Sequence, residues 1–364
     1  MNPSEPALQN LIDRVERARR DAAPLCIRGG GTKDFYGEAP KGDVLDTRAL
    51  TGTPSYEPTE LVVTTRCGTP LAELEALLAE HGQCLPFEPP HYGPGATVGG
   101  MVSAALAGPS RARAGSVRDH VLGATLLNGK AEVLSFGGQV IKNVAGYDVS
   151  RLLVGALGTL GVVLEVSLKV LPMARANATL RFDFEQAEAL AQLHEWGGLP
   201  LPLDASAWWA GNLLVRLSGA ESAVTSAAMR LGGEAVDGEA AAPFWKGLRE
   251  HTDDFFARGE RAVESGAALW RLGLPQTAPA LQLEGDTLVE WHGAQRWLVT
   301  ALPAHEVRTA AAAAGGHATL FRARDKSAGA FMPLVPPLDR IHRELKKAFD
   351  PAGIFNPGRL YPGL

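Results

Sequence analysis

Directly after the apolar run at residues 25–28 the chain places three glycines in a row, Gly29-Gly30-Gly31, followed by Thr32 and Lys33. No other feature limits the fold as much. Consecutive glycines leave no Cβ in the way, so backbone N–H groups can crowd onto an anion, and Arg28, Thr32 and Lys33 add donors. Two familiar phosphate loops fail on spacing. A dinucleotide fingerprint needs a glycine where Asp34 stands, and a nucleotide-triphosphate loop needs Gly-Lys-Ser/Thr where this chain has Gly-Thr-Lys. Taken alone, the loop fits a tight turn equally well.

The rest of the first 172 residues reads as short apolar strands joined by glycine-rich turns, with strands expected at 25–28, 44–46, 61–66 and 164–171. Between them Thr69 is placed to cap a helix, Pro70 to occupy its first turn and Gly82 to end it. Runs at 121–127 and 132–136 flank Asn128-Gly129, a two-residue hairpin signal. From residue 177 a β-α-β-β-α order begins, and further strands at 268–274 and around His292-Gly293 extend it. A last helix carries Leu338, Ile341, Leu345 and Phe349 at helical spacing. The expected class is α+β in two domains.

Composition excludes several functions. The 35 basic and 40 acidic residues are dispersed, giving net charge −5, so no nucleic-acid partner is expected. The N-terminus is an amphipathic helix with Leu8, Leu11, Ile12 and Val15 on one face, not a secretory signal. The most apolar stretch, residues 152–171, is broken by Glu165 and Lys169 and alternates like a strand, so no membrane span is expected. Cys26, Cys67 and Cys84 are isolated. They read as reduced thiols of a cytoplasmic protein and are too few for a four-thiolate iron–sulfur cluster.

Further motifs follow in order. Gly95-Ala96-Thr97-Val98-Gly99-Gly100-Met101 leads into small residues at 103–108, a segment able to lie close to a flat or charged ligand or simply to pack helices closely. Gly115-Ser116-Val117-Arg118-Asp119-His120 precedes the hairpin. Lys142-Asn143-Val144-Ala145-Gly146-Tyr147-Asp148 and Gly158-Thr159-Leu160-Gly161-Val162-Val163 come next, and Asn356-Pro357-Gly358-Arg359 lies in the tail. Tyr147 and Lys142 are candidates to orient a substrate or hold charge, and Asp148 fits a hydrogen-bonded turn. His91-Tyr92 sits in a loop stiffened by four prolines, a structural loop that could also wall a pocket. His120, His194, His251, His305 and His342 read as surface or packing residues, and Trp208, Trp209, Trp291 and Trp297 as packing in or beside strands.

The order of these motifs resembles the FAD-binding superfamily of vanillyl-alcohol oxidase and p-cresol methylhydroxylase, over residues 20–172 plus the tail. With the segments at 87–93, 115–123, 142–148, 291–297 and 315–319, the chain is similar nearly throughout to the family of the smaller FAD-binding subunit of bacterial glycolate oxidase. The resemblance implies a two-lobed FAD-binding domain over 1–174, a smaller α/β sandwich cap over 175–335, and a C-terminal helix and tail over 336–364 returning to the FAD domain. It implies FAD contacts from Arg28, Gly29, Gly30, Gly31, Thr32, Lys33, Gly95, Ala96, Thr97, Gly99, Gly100, Ser116, Asp119, Gly161 and Val162. Thr32 and Lys33 stand where covalent relatives carry a histidine, so FAD is expected without a covalent link. No metal site and no catalytic acid or base carries over. The implied activity is oxidation of glycolate, a small 2-hydroxyacid, to glyoxylate. The implied partners are a larger FAD-binding subunit and an iron–sulfur subunit, which would attach a cytoplasmic chain peripherally to the inner membrane. An idle FAD site in a structural subunit and a stand-alone FAD alcohol oxidase are the alternatives.

Overall fold

The computed structural model describes residues 5–138 and 148–364. Helix α1 (Pro6–Asp21) opens the chain, and β1 (Leu25–Arg28) pairs in parallel with β2 (Asp43–Asp46). The next elements are β3 (Ser55–Glu57), β4 (Val62–Arg66), α2 (Leu71–Glu80), β5 (Gln83–Cys84), α3 (Val98–Ala104), α4 (Arg111–Ala114) and α5 (Val117–His120). Strands β6 (Val121–Leu127), β7 (Val133–Gly137), β8 (Val162–Lys169) and β9 (Leu171–Pro172) complete the first half. Here β3-β4-β8-β6-β7 form an antiparallel five-stranded sheet. Leu71, Leu74 and Leu78 of α2 and Val98, Met101 and Val102 of α3 bury one flank against Val63, Val166 and Leu168. On α1, Leu8, Leu11, Val15 and Ala18 bury against Leu25, Leu45, Val162 and Leu164, as their helical spacing requires.

The second half contains β10 (Ala176–Asp183), α6 (Gln186–Gly197), β11 (Leu203–Trp209), β12 (Asn212–Gly219), α7 (Glu221–Leu231), β13 (Glu234–Val236), α8 (Gly238–Glu250) and α9 (Asp254–Glu264). It continues with β14 (Ala268–Gly273), β15 (Asp286–Glu290), β16 (Gln295–Thr300), α10 (Ala304–Ala313), β17 (His317–Arg322) and α11 (Leu338–Phe349). Its eight strands form one antiparallel sheet in the order β13-β10-β12-β11-β15-β16-β14-β17. Strand alternation gives this sheet two different faces. Leu180, Leu213, Val215 and Leu217 bury against α6 and α7, and Trp270, Leu272 and Leu320 against α10. The opposite face sends Ala205, Ala207, Leu269, Leu288, Trp297 and Phe321 toward α8, α9 and the first half, where Tyr36, Ala104, Leu106 and Leu157 meet them. The α+β class holds.

Three local expectations need correction. Thr69 does not cap α2; its hydroxyl instead exchanges hydrogen bonds with the Gly52 main chain, and Pro70 occupies the cap position. The β6–β7 connection spans five residues rather than two, because Asn128 Oδ1 accepts from the N–H groups of Lys130 and Glu132 and organises a wider loop. On α11, Leu345 and Phe349 pack against the first half, whereas Leu338 and Ile341 stay exposed and Lys346 is the buried residue. Lys142, Asn143 and Tyr147 lie outside the described residues. Asp148 accepts from Ser150 Oγ (2.8 Å) and pairs with Arg151, the hydrogen-bonded turn that was expected. No described helix is long and apolar enough to cross a membrane.

The tail is stitched to the first half. Leu25 N–H donates to the Ile354 carbonyl (2.7 Å), and Asn356 N–H donates back to the Leu25 carbonyl (2.9 Å). Asn356 then uses its amide twice, accepting from Ile27 N–H (2.7 Å) and donating to the Leu157 carbonyl (2.6 Å). Beneath it Lys346 Nζ donates to Asp350 (2.7 Å) and to the carbonyls of Thr159 (2.8 Å) and Phe355 (2.7 Å), so its three protons are all used.

Candidate functional site: a glycine-lined cleft beside a buried polar cluster

Strand β1 delivers its last residue, Arg28, to the mouth of a cleft, and the three glycines turn along the cleft wall. Gly31 has a positive φ of 73°, and Gly29 and Gly30 are forced to be glycine by what lies behind them. A Cβ on Gly29 would stand 3.2 Å from Thr97 Cγ2, and one on Gly30 would overlap the Gly95 carbonyl oxygen. The loop and the second glycine segment therefore lie back to back with no room for side chains. Thr97 starts α3 by accepting from Gly100 N–H (3.2 Å), which turns Gly99 and Gly100 toward the same cleft. Gly158 and Val162 close the far wall, and Asn356 and Arg359 come in from the tail. The cleft holds roughly 710 Å³ of space free of protein atoms, counting its open side.

Of the residues expected at a cofactor, Arg28, Gly29, Gly30, Gly31, Thr32, Lys33, Thr97, Gly99, Gly100 and Val162 line this cleft. Gly95 backs the loop from behind, and Ala96 is buried in the α2–α3 core. Gly161 has a positive φ against the Leu127 carbonyl and does not face the cleft. Ser116 and Asp119 are occupied with each other: Ser116 N–H and hydroxyl both donate to Asp119 Oδ2 (2.7 and 2.9 Å), capping α5 away from the cleft. Thr47, Cys67, Ser103, Ala104 and Leu157 also line it without having been singled out. Ser103 and Ala104 at least belong to the small-residue segment, whereas nothing in the sequence flags Thr47 or Cys67.

Arg28, Lys33 and Arg359 border the cleft, with Asp34 the acidic residue among its described lining. Arg28 pairs with Asp34 (2.7 Å) at the half-exposed mouth. Arg359 Nη2 donates to the Asp34 carbonyl (2.9 Å), while its Nη1 is buried without a partner among the described residues. An orphaned guanidinium N–H in a cleft bordered by bare glycine backbone fits an anionic dinucleotide. Burial pushes the Lys33 ammonium down to about 8, against the pull of Glu250. Lys33 Nζ donates to the His91 carbonyl (3.1 Å) and stands 5.6 Å from the centre of the Tyr92 ring.

Lys33 thereby joins the cleft to a second cluster between the halves. Glu250, at the end of α8, accepts from the N–H groups of both His91 and Tyr92 (3.0 Å each), which docks the proline-rich loop. Tyr92 Oη and His251 Nε2 are 3.2 Å apart, and the His251 ring stacks on Phe256 at 3.7 Å with Trp297 and Phe321 at its edges. Of the two readings of His251, surface or packing, the structure shows packing, with the residue half-buried between the halves. Burial, with Arg322 and Arg271 nearby, holds it well below its usual range and therefore neutral. Behind it Glu290 accepts from Trp297 Nε1 (2.6 Å) and Gln295 Nε2 (3.0 Å), and burial pushes its carboxyl up to about 7.

That shift has a definite sign. Between its ordinary value and about 7, folded Glu290 keeps a proton that the unfolded chain has released, so stability falls as pH rises through this window. Glu290→Gln is expected to flatten the decline in urea midpoint between about pH 5 and about pH 8. Asp253, also raised by burial, leaves part of the slope in place. An unchanged slope would show that Glu290 is ionised in the fold.

Comparisons with known proteins agree with this geometry. A family model described as an FAD binding domain matches residues 7–137. The chain is 47% identical to "Glycolate oxidase subunit GlcE" of Escherichia coli K12 over 356 residues, covering 98% of each chain. It is 33% identical to "D-lactate dehydrogenase" of Archaeoglobus fulgidus over 174 residues, which is 47% of this chain but only 38% of that protein. Among solved structures, an alkyldihydroxyacetonephosphate synthase superposes with a TM-score of 0.65 over 96% of this chain and 74% of that one. At 14% identity that likeness concerns the fold alone. Full-length coverage at this identity, together with the matched FAD-binding domain, establishes that the chain belongs to the glycolate oxidase subunit GlcE family, within the p-cresol methylhydroxylase-type FAD-binding superfamily.

Proposed function

We propose that the chain is the smaller FAD-binding subunit of a glycolate-oxidising complex, an FAD-dependent 2-hydroxyacid oxidoreductase that yields glyoxylate. The observation that carries the reading is the back-to-back packing of two glycine segments around a cleft with an unpaired buried Arg359 N–H. Its agreement with a full-length relative named for glycolate oxidase supplies the substrate class. Bound FAD supplies a hydride acceptor. The chain's own part is to hold the pyrophosphate on the amides of Gly29–Gly31 and on Arg28 and Arg359, and to exclude water with the aromatic layer around Tyr92.

Among the described residues no histidine lines the cleft, and Thr32 and Lys33 end the glycine loop, which supports a cofactor held without a covalent link. Three cysteines are too few for a four-thiolate cluster, so the reading places the iron–sulfur acceptor on a partner subunit beside a larger flavin subunit. Such partners would also supply any attachment of a cytoplasmic chain to the inner membrane. The proposed units are 1–174 for FAD, 175–335 for the cap and 336–364 for the returning tail.

Anaerobic glycolate titration of the assembled complex tests this, with the larger subunit's flavin removed by substitution. The flavin on this chain is expected to bleach. If it stays oxidised while the intact complex bleaches, this chain does not receive electrons from substrate and the oxidoreductase reading fails.

A further inference from the structure

We infer that an open crevice beside β10 receives an extended, acid-bearing segment of a partner subunit, laid along the free edge of that strand. This surface presupposes the reading of the chain as one subunit of a complex.

The crevice runs between α2, the residues of β9 and just after it, and the corner where β10 meets α8. It shares no lining residue with the glycine cleft, and neither Tyr92 nor His251 borders it. The space free of protein atoms is roughly 2230 Å³ counting the open side, against roughly 710 Å³ in the glycine cleft. Its floor is already satisfied. Arg216 Nη2 donates to both Glu88 oxygens (2.8 Å each) and Arg216 Nε to Asp204 (2.6 Å), while Ser110 Oγ donates to Asp204 (3.0 Å). The Arg216 guanidinium also lies 5.0 Å from the centre of the Trp245 ring. A fully paired floor leaves little for a small polar ligand to gain.

The backbone beside that floor is less complete. Strand β10 pairs with β12 along its whole length, Ala176 to Asp183, but with β13 only from Thr179 to Arg181. Strand β13 stops at Val236 because Asp237 and Gly238 turn the chain into α8. The edge at residues 176–178 is therefore left without a strand, and both Asn177 and Ala178 line the crevice. An open edge is a template for one more extended chain, bound through its main chain. Apolar contacts for alternate side chains are at hand. Met173 is 54% exposed at the rim, and Leu85, Ala241 and Trp245 offer their surfaces further in.

Charge selects the kind of segment. Three acids line the crevice, and all are engaged: Glu88 and Asp204 with Arg216, and Glu75 with His91 (2.9 Å). The cations are not matched in the same way. Lys246 is exposed on α8 and makes no ion pair or hydrogen bond with a described residue. Arg113 is half-exposed on α4 and is held by Asp204 through Nη1 alone (3.2 Å). Arg175, the residue before β10, is exposed as well. These cations sit on separate elements of the two halves, so an extended segment carrying Asp or Glu meets them better than one small anion.

Co-expression with the proposed larger flavin subunit and iron–sulfur subunit tests the surface. The mass of the purified parent comes first, and a chain that stays alone removes the subunit reading together with this inference. In an assembled parent, Met173→Asp combined with Lys246→Glu is expected to cut co-purified partner roughly tenfold or more. FAD content is expected to stay unchanged, since neither residue lines the glycine cleft. Lys246→Arg is expected to keep the partner, and so is Leu338→Asp with Ile341→Asp on the exposed stripe of α11. A photo-reactive p-benzoylphenylalanine in place of Met173 is expected to cross-link to an Asp- or Glu-bearing extended segment of one partner, and it decides alone if the double variant does not fold. Full assembly by the folded double variant, or a cross-link to a second copy of this chain, to a helix or to nothing, overturns the inference while leaving the subunit reading in place.

Discussion

Gly30→Ala is expected to purify folded but almost free of FAD. The added methyl would overlap the Gly95 carbonyl oxygen and stand 3.0 Å from Gly95 Cα, and both are main-chain atoms that cannot rotate aside. Either the glycine loop lifts off the cleft wall or the second segment retreats, and each movement withdraws amides from the pyrophosphate. Overpacking of this kind costs about 1–3 kcal/mol, and near the upper end retention weakens roughly a hundredfold. Gly197→Ala is the matching control, since a Cβ there meets nothing within 4 Å. Released flavin, measured against protein, checks both variants. Full FAD in Gly30→Ala would remove the glycine loop from the binding site.

The largest loss of stability is expected from Lys346→Met. The ammonium sits in a buried pocket with Asp350, whose side chain has no exposed surface and also accepts from the N–H groups of Ile354 and Phe355. Burial lowers the lysine, and the Asp350 charge works against that shift. Removing one partner leaves a buried carboxylate and two carbonyls short of a donor, a loss of about 3–5 kcal/mol. Because Phe355 and Asn356 continue from this latch onto β1, FAD affinity is expected to fall as well. Urea unfolding of the FAD-free parent and variant isolates the stability effect. A difference under about 1 kcal/mol would mean that water already solvates this pair.

Much of this architecture was legible in residue patterns, and the failures share a physical cause. The strands at 25–28 and 44–46, the amphipathic face of α1 and the β-α-β-β-α order from residue 176 follow from local periodicity and turn chemistry, which act over a few residues. Thr69 looked like a cap because local spacing cannot foresee that Gly52 would compete for its hydroxyl. The stripe on α11 misled for the same reason. Leu338 and Ile341 have the right period, but only the half of the helix that meets Ala124, Leu126 and Val163 finds a surface to bury against.

The cleft was partly legible because glycine in series has few explanations, and small size is what close backbone approach demands. The cluster between the halves was not. Tyr92, His251, Arg271, Glu290 and Arg322 come from five separate stretches of the chain, and no spacing rule links them. Only the eight-stranded register brings Arg271, Gln295 and Glu290 onto neighbouring strands of one face.

The most direct test of the central claim is the flavin content of the chain purified under mild conditions, divided into what heat releases and what stays on the polypeptide. About one FAD per chain is predicted, all of it released, since main-chain amides and two arginines hold it without a bond. A chain that folds and carries no flavin even when reconstituted with excess FAD, or that keeps its flavin after denaturation, would contradict it.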